Sequence, residues 1–229
     1  MALLTAELID QYRRLSGATV ANAIETFGGR LRNEGFADSS LRCQTPGLPP
    51  AVGHAVTARI RCSSPPPVGH RYHDRTDWWN FIVSIPSPRI VVVQDVDERP
   101  GLGAFVGDLH ATILRALGCV AYVTNGTVRD VGYVRDMGFH LLASSTAISH
   151  AFAHILDFGG AVEVAGLPIA TGDLLYASAD GLLSVPASIV EEIPRAAAAM
   201  QLKERRVSEF CRSARFSIEG LQELVRDLG

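Results

Sequence analysis

Apolar positions recur at helical spacing from the start of the chain. Leu8, Ile9, Tyr12 and Leu15 fall on one face of a helix predicted over residues 5–15. Ser16-Gly17 breaks it, and a second helix follows from Ala18 to Phe27, ended by Gly28-Gly29. After a stretch over 30–50 rich in Gly, Pro and polar residues, the period changes to two. Val52, His54, Val56, Ala58 and Ile60 mark a half-buried strand over 52–61. A short helix is predicted over 79–85. Ile90-Val91-Val92-Val93 is unbroken, the mark of a strand covered on both faces. Ala111 to Leu117 returns to helical spacing, and Gly118 sits where a helix-ending glycine belongs. Cys119 to Val123 is another buried strand, and Asn125-Gly126 turns the chain.

Downstream, a helical turn over 131–137 ends at Gly138 and leads to a strand over 139–143. Residues 147–156 have the spacing of a helix, on which His150 and His154 would face together. Short strands follow over 158–164, 167–170, 174–176 and 182–185, with turns at Gly172-Asp173 and Asp180-Gly181. Helices over 188–210, with Pro194 in its first turns, and 218–228 close the sequence. Strands separated by helices predict an α/β fold, a mixed sheet flanked by helices. At 229 residues we expect one domain over 1–229, with N-terminal helices over 5–27 and a C-terminal helical extension over 188–228.

Composition narrows the function classes. With 21 Lys and Arg against 24 Asp and Glu, the net charge of −3 leaves no electrostatic footprint for nucleic acid. No apolar run reaches the length of a bilayer span, so no membrane partner is expected. The first ten residues lack the basic start of a secretory signal. Cys43, Cys62, Cys119 and Cys211 are scattered without Cys-x-x-Cys spacing, which fits reduced thiols in a cytoplasmic protein and no zinc site. No Gly-x-Gly-x-x-Gly opens a strand–helix unit, which argues against a methyltransferase.

The chemistry concentrates between Gly107 and Asp130. Asp108 stands at the start of the predicted helix, and Arg129-Asp130 lie beyond the carboxyl end of the following strand. A helix and a strand joined by a tight turn run antiparallel, so these two ends come close. Backbone N–H groups at a helix start favour an anion. Arg129 offers a planar fork that fits a carboxylate. Asp108 and Asp130 offer hard oxygens suited to a hydrated divalent cation. The pattern suits a small carboxylate bound beside a metal; the same residues also read as a helix cap and a surface ion pair.

Asp108 and Arg129-Asp130 are separated by twenty residues. This D-x20-R-D spacing resembles the signature of the class II pyruvate aldolases related to 4-hydroxy-4-methyl-2-oxoglutarate aldolase. These are homologous to the RraA-like proteins, named for the regulator of ribonuclease E activity. The string GDLHATILRALGCVAYVTNGTVRDVGYVRDMGFHLLA is similar to the family's loop, helix, strand and Gly-x-x-Arg-Asp segment. A second block, Thr171-Gly172-Asp173 to Pro186, resembles its Pro-Gly-Asp to Asp-x-x-Gly-Val-x-x-x-Pro ending.

The resemblance implies the swivelling β/β/α fold, assembled as a homotrimer or homohexamer with sites at subunit interfaces. It implies a divalent-metal-dependent lyase that cleaves 4-hydroxy-2-oxo acids by retro-aldol reaction to release pyruvate, and that also decarboxylates oxaloacetate. Asp130 would then anchor Mg²⁺ or Mn²⁺, largely through waters, and Arg129 would clamp the substrate carboxylate. Backbone N–H groups of Leu109 and His110, in the Gly107 to His110 loop, would hold the acid's other oxygen. Asp108 would orient a metal-bound water that moves the proton. The alternative is a non-catalytic RraA-like regulator that binds ribonuclease E or another protein.

Three places depart from the resemblance. Asn22 stands where the family has Asp, and Ser144-Ser145-Thr146 where it often shows Arg-Gly. The segment from Gly69 to Trp79 is dense in His, Arg and Trp. His70 and His73 there have no evident third ligand, so the segment reads as a substrate-shaping or interface loop, and it leaves substrate identity open.

Overall fold

A computed structural model describes residues 3–66 and 75–228. In chain order the elements are α1 (Ala6–Arg13), α2 (Gly17–Glu25), β1 (Arg42–Cys43), β2 (Ala51–Arg61), α3 (Arg75–Ser84), β3 (Arg89–Asp95), β4 (Ala104–Val106), α4 (Asp108–Ala116), β5 (Cys119–Thr124), β6 (Thr127–Val128), α5 (Val131–Asp136), β7 (His140–Ala143) and β8 (Ser145–Thr146). They continue as β9 (His154–Phe158), β10 (Val162–Val164), β11 (Leu167–Ile169), β12 (Leu174–Ser178), β13 (Gly181–Ser184), α6 (Ile193–Cys211) and α7 (Ile218–Leu228). His70 and His73 lie outside the described residues.

The expected α/β class holds. The main sheet runs β1-β7-β5-β3-β2-β12-β13, with β9 added to the far end of β2. Its centre, β2-β3-β5-β7, is parallel, and the outer strands are antiparallel. Successive residues of a strand face opposite sides, and β3 shows why an unbroken apolar run was needed. Val91 and Val93 pack towards Trp78, Ile82, Leu114 and Val134 of the helical layer. Ile90 and Val92 pack the other way, towards Val162, Val164, Leu167 and Ile169 of the β10–β11 hairpin. A third cluster joins Tyr12, Val20 and Ile24 of the N-terminal helices to Tyr176, Leu183 and Ile193.

Two expectations need correction. β2 is not half-buried: residues 51–58 are buried on both faces, because Val56 and Ala58 pack into the helical layer while Ala55 packs towards the β10–β11 hairpin. Residues 147–156 are not a helix. The Ala104 N–H donates to the Ser149 carbonyl, and His154 enters β9 opposite Arg61, so tertiary pairing holds this stretch open. The four cysteines are all free, and no helix among the described residues is long and apolar enough to cross a membrane.

Candidate active site

Strand pairing brings the two chemistry-bearing loops together. β4 and β6 pair in parallel, Val106 opposite Val128, and β8 extends this small sheet. The Arg129 N–H donates to the Val106 carbonyl at 3.1 Å. One strand runs into Gly107-Asp108 and the other into Arg129-Asp130, so the loops emerge side by side. Between them the chain goes out along α4, reverses at Gly118 in a left-handed conformation (φ +76), and comes back along β5. Asn125 pins the return. Its side chain accepts the Asp95 N–H at 2.7 Å and donates to the Asp95 carbonyl at 2.9 Å.

Gly107 caps α4 with extended backbone and no side chain. A Cβ at this position would run into the Asp130 carboxylate and stand 2.9 Å from Arg129 Nε. Glycine is what lets the Asp130 and Arg129 side chains sit this close; a larger residue would have to displace them. Asp130 Oδ2 accepts the Asp108 N–H at 3.3 Å and lies 3.5 Å from Arg129 Nε. Asp130 itself sits at φ 55, ψ 32, in the left-handed region at the start of α5. That conformation costs a non-glycine residue roughly 1 kcal/mol, though Asp tolerates it better than most. Strain of this kind tends to collect at functional sites.

Asp108 is the first residue of α4. Its Oδ1 accepts the Leu109 N–H at 2.7 Å, and its carbonyl accepts the Thr112 hydroxyl at 2.9 Å. Two N–H groups at the helix start are thus already met by carboxylates. An incoming anion that uses the Leu109 N–H has to exchange with the Asp108 side chain. Gly107, Asp108, Leu109, Arg129 and Asp130 are therefore gathered around one helix start. His110, one residue on, stacks against Phe105 with ring centroids 5.3 Å apart.

A cavity of about 180 Å³ opens beside Arg129 and His110. Trp78 and Trp79 of α3, Phe105 of β4, Ile113 and Leu114 of α4, and Ile155 of β9 form most of its wall. Trp78 is packed against Phe81 and Phe158, which back that wall with further aromatic rings. The sequence pattern marked the Trp-bearing segment as a substrate-shaping or interface loop but gave no sign that Phe105 and Ile113 would join it, because they come from different elements. His150 lines the exposed side and is held through Nδ1 by the Ala151 carbonyl, whereas His154 is buried and bonded to the Phe152 carbonyl. The two histidines do not form a pair.

Metal-ligating atoms also meet elsewhere. Those of Cys62, Asp95 and Asp97 lie within 4.8 Å of one another. The carboxylate oxygens there are already used. Asp97 accepts the N–H groups of Cys62 and Ser63, each at 2.8 Å, and the Ser63 hydroxyl at 2.6 Å. Asp95 accepts the N–H groups of Asp97 and Gly101 at 3.1 and 2.8 Å. Burial pushes the Cys62 thiol up to about 12 and raises Asp95; burial also opposes ionisation of Asp97, but the Ser63 and Cys62 donors outweigh it and hold Asp97 low. The cluster pins the loop that leads into β4. Asp130 suits a cation better: it is exposed, and among the described residues only its Oδ2 is engaged. One carboxylate oxygen beside open solvent fits a hard divalent ion that keeps most of its own water.

The chain is also similar to several known proteins. The family model described as RraA-like, Aldolase/RraA, matches residues 5–183. A protein of Halalkalibacterium halodurans named "Putative 4-hydroxy-4-methyl-2-oxoglutarate aldolase" is 25% identical over 138 residues, 58% of this chain and 65% of that protein. The match thus spans less than two thirds of that relative's length. An uncharacterized protein from Pseudomonas syringae superposes with a TM-score of 0.73 at 21% identity, covering 96% of this chain and 94% of that one. Streptomyces coelicolor RraAS2, described as an unusual member of the RNase ES inhibitor RraA family, superposes with a TM-score of 0.67 at 22% identity, covering 90% and 97%. At these identities the structural likenesses speak for the fold.

Proposed function

The chain belongs to the RraA-like (Aldolase/RraA) family, and from that premise we propose that it is a divalent-metal-dependent lyase that cleaves 4-hydroxy-2-oxo acids to release pyruvate and decarboxylates oxaloacetate. The observation that carries this reading is the convergence of Asp108, Arg129 and Asp130 on the start of α4.

In a retro-aldol cleavage the 4-hydroxyl loses its proton and the bond between C3 and C4 breaks. The C4 fragment leaves as an aldehyde or ketone, and the electron pair forms the enolate of pyruvate, which takes a proton at C3. Oxaloacetate gives the same enolate by losing carbon dioxide. Mg²⁺ or Mn²⁺ held by Asp130 would supply Lewis-acid stabilisation of that charge. Arg129 grips the substrate carboxylate with its planar fork. Leu109 and His110 offer their backbone N–H groups to the remaining oxygen, with the helix start favouring the negative charge. Asp108 releases Leu109 when the substrate arrives and orients the water that carries the proton. Gly107 leaves room for the carboxylate of Asp130.

The surface around the site supports assembly as a homotrimer or homohexamer. Leu109 and Tyr133 are 67% and 75% exposed in the first turns of α4 and α5, beside the site, where a neighbouring subunit would cover them. The test is pyruvate release from oxaloacetate and from 4-hydroxy-4-methyl-2-oxoglutarate with Mg²⁺, and its loss with EDTA. Metal-independent or absent release, together with capture of ribonuclease E in a pull-down, would replace this reading with a regulator that binds protein.

A further inference from the structure

The wall of the cavity beside Arg129 bears on the far end of the substrate, an inference that rests on the lyase reading of the same site. Gly107, Asp108 and Asp130 do not line the cavity, whereas Arg129 and His110 do. The 2-oxo acid head therefore belongs at the rim, and the space behind it is left for whatever C4 carries. Among the described residues, Arg129 is the only Lys, Arg, Asp or Glu in the lining, and its guanidinium is taken by the first carboxylate. Past His110, whose ring stacks on Phe105, and His150 at the exposed side, a second carboxylate pushed inwards would meet Trp79, Phe105, Ile113 and Ile155, where among the described residues no Lys or Arg offsets its lost hydration. An apolar group would gain contact with the same surfaces. The space of about 180 Å³ suits one six-carbon group, since a dry cavity of about 150 Å³ is enough for benzene.

We propose that this cavity selects 4-hydroxy-2-oxo monocarboxylates whose C4 substituent is a single aromatic ring or a branched aliphatic chain, so that the second product is an apolar aldehyde or ketone. The cavity is part of the fold itself, with Trp78 backed by Phe81 and Phe158, so the tail enters a preformed slot.

The experiment measures kcat/KM for pyruvate release by the Mg²⁺-loaded protein. One group of substrates carries a phenyl or isobutyl group at C4; the other is 4-hydroxy-2-oxoglutarate and its 4-methyl analogue. Preference for the apolar group by roughly tenfold or more is expected, the scale a few methylene contacts supply. Ile113→Arg, which places a cation in the half-buried wall, should reverse the order in favour of the dicarboxylates. Equal or greater kcat/KM for the dicarboxylates in the wild type overturns the inference. Oxaloacetate separates the two levels, because beyond the C4 carboxylate it loses as carbon dioxide it carries nothing to reach into the cavity. Decarboxylation with a dicarboxylate preference sinks only the proposal about the tail, whereas no turnover of any of these substrates sinks the lyase reading and the proposal with it.

Discussion

The carboxylate of Asp130 reaches across to the backbone of Asp108, accepting its N–H at 3.3 Å, while Arg129 Nε stands 3.5 Å from the same oxygen. One atom thus ties together two loops that are 22 residues apart in sequence. Changes at any of the three residues are therefore expected to reach the others.

Arg129→Ala and Asp130→Ala should each abolish oxaloacetate decarboxylation. A loss of about 100-fold or more in kcat is the scale for removing one charge-stabilising group from a preorganised site. Steady-state pyruvate assays at saturating Mg²⁺ check this, and a variant as active as the wild type refutes the site assignment.

Gly107→Ala should disturb the site without removing any functional side chain. The added methyl group would press on the Asp130 carboxylate and on Arg129 Nε. Over-packing of this kind costs about 1–3 kcal/mol. We expect a melting temperature lower by a few degrees and a fall of at least about tenfold in kcat/KM, read by thermal denaturation and the same assay.

Asp130→Gly should separate stability from activity. Glycine accepts the left-handed conformation at φ 55 without a Cβ penalty, so this position should recover up to about 1 kcal/mol of strain. The variant should unfold no earlier than the wild type yet release no pyruvate. Marked destabilisation would mean that the Asp130 side chain holds the fold rather than the chemistry.

Stability should fall on the acid side partly through His140. Burial lowers its pKa from 6.5. Nε2 bonds the Pro49 carbonyl at 2.7 Å, and among the described residues Nδ1 has no partner for a second proton. The folded pKa is below the unfolded one, so the unfolded chain takes the proton first. The contribution is present above the unfolded value of about 6.5 and is lost as pH falls through the depressed folded value. Urea denaturation across that window should show a steeper loss for the wild type than for His140→Gln, and parallel curves would remove His140 from the account.

Much of the site was legible because it depends on local punctuation. Glycine at 107 and 118, the helical spacing of 111–117, the apolar run of 119–123 and Asn125-Gly126 together announce a loop, helix, strand and turn. The small sheet that aligns the loops was not legible. β4, β6 and β8 have two or three residues each, too few for any period to show. Residues 147–156 had helical spacing, but the pairing of β9 with β2 outweighs a weak helix propensity. β2 looked one-sided because Thr57 and Arg59 fall on the face opposite Val56 and Ala58; Thr57 is nevertheless buried and satisfied by the Gly160 carbonyl, a bond that no sequence pattern announces. The apolar cavity escaped for the same reason: its wall is assembled from α3, β4, α4 and β9, and no two of those share a motif.

Because Asp108 and Arg129 mark the two ends of one closed excursion, out along α4 and home along β5, the distance between them in residues is a mechanical dimension. Side chains inside the excursion can drift widely so long as they stay helical on the way out and buried on the way back. One residue added or removed would instead shift the phase of α4 or the register of β5, and the mismatch would surface at the mouth of the pocket. What the two loop ends register is thus the length of the excursion, and the 3.3 Å bond between Asp130 and the Asp108 N–H is the point at which an error in that length would be felt.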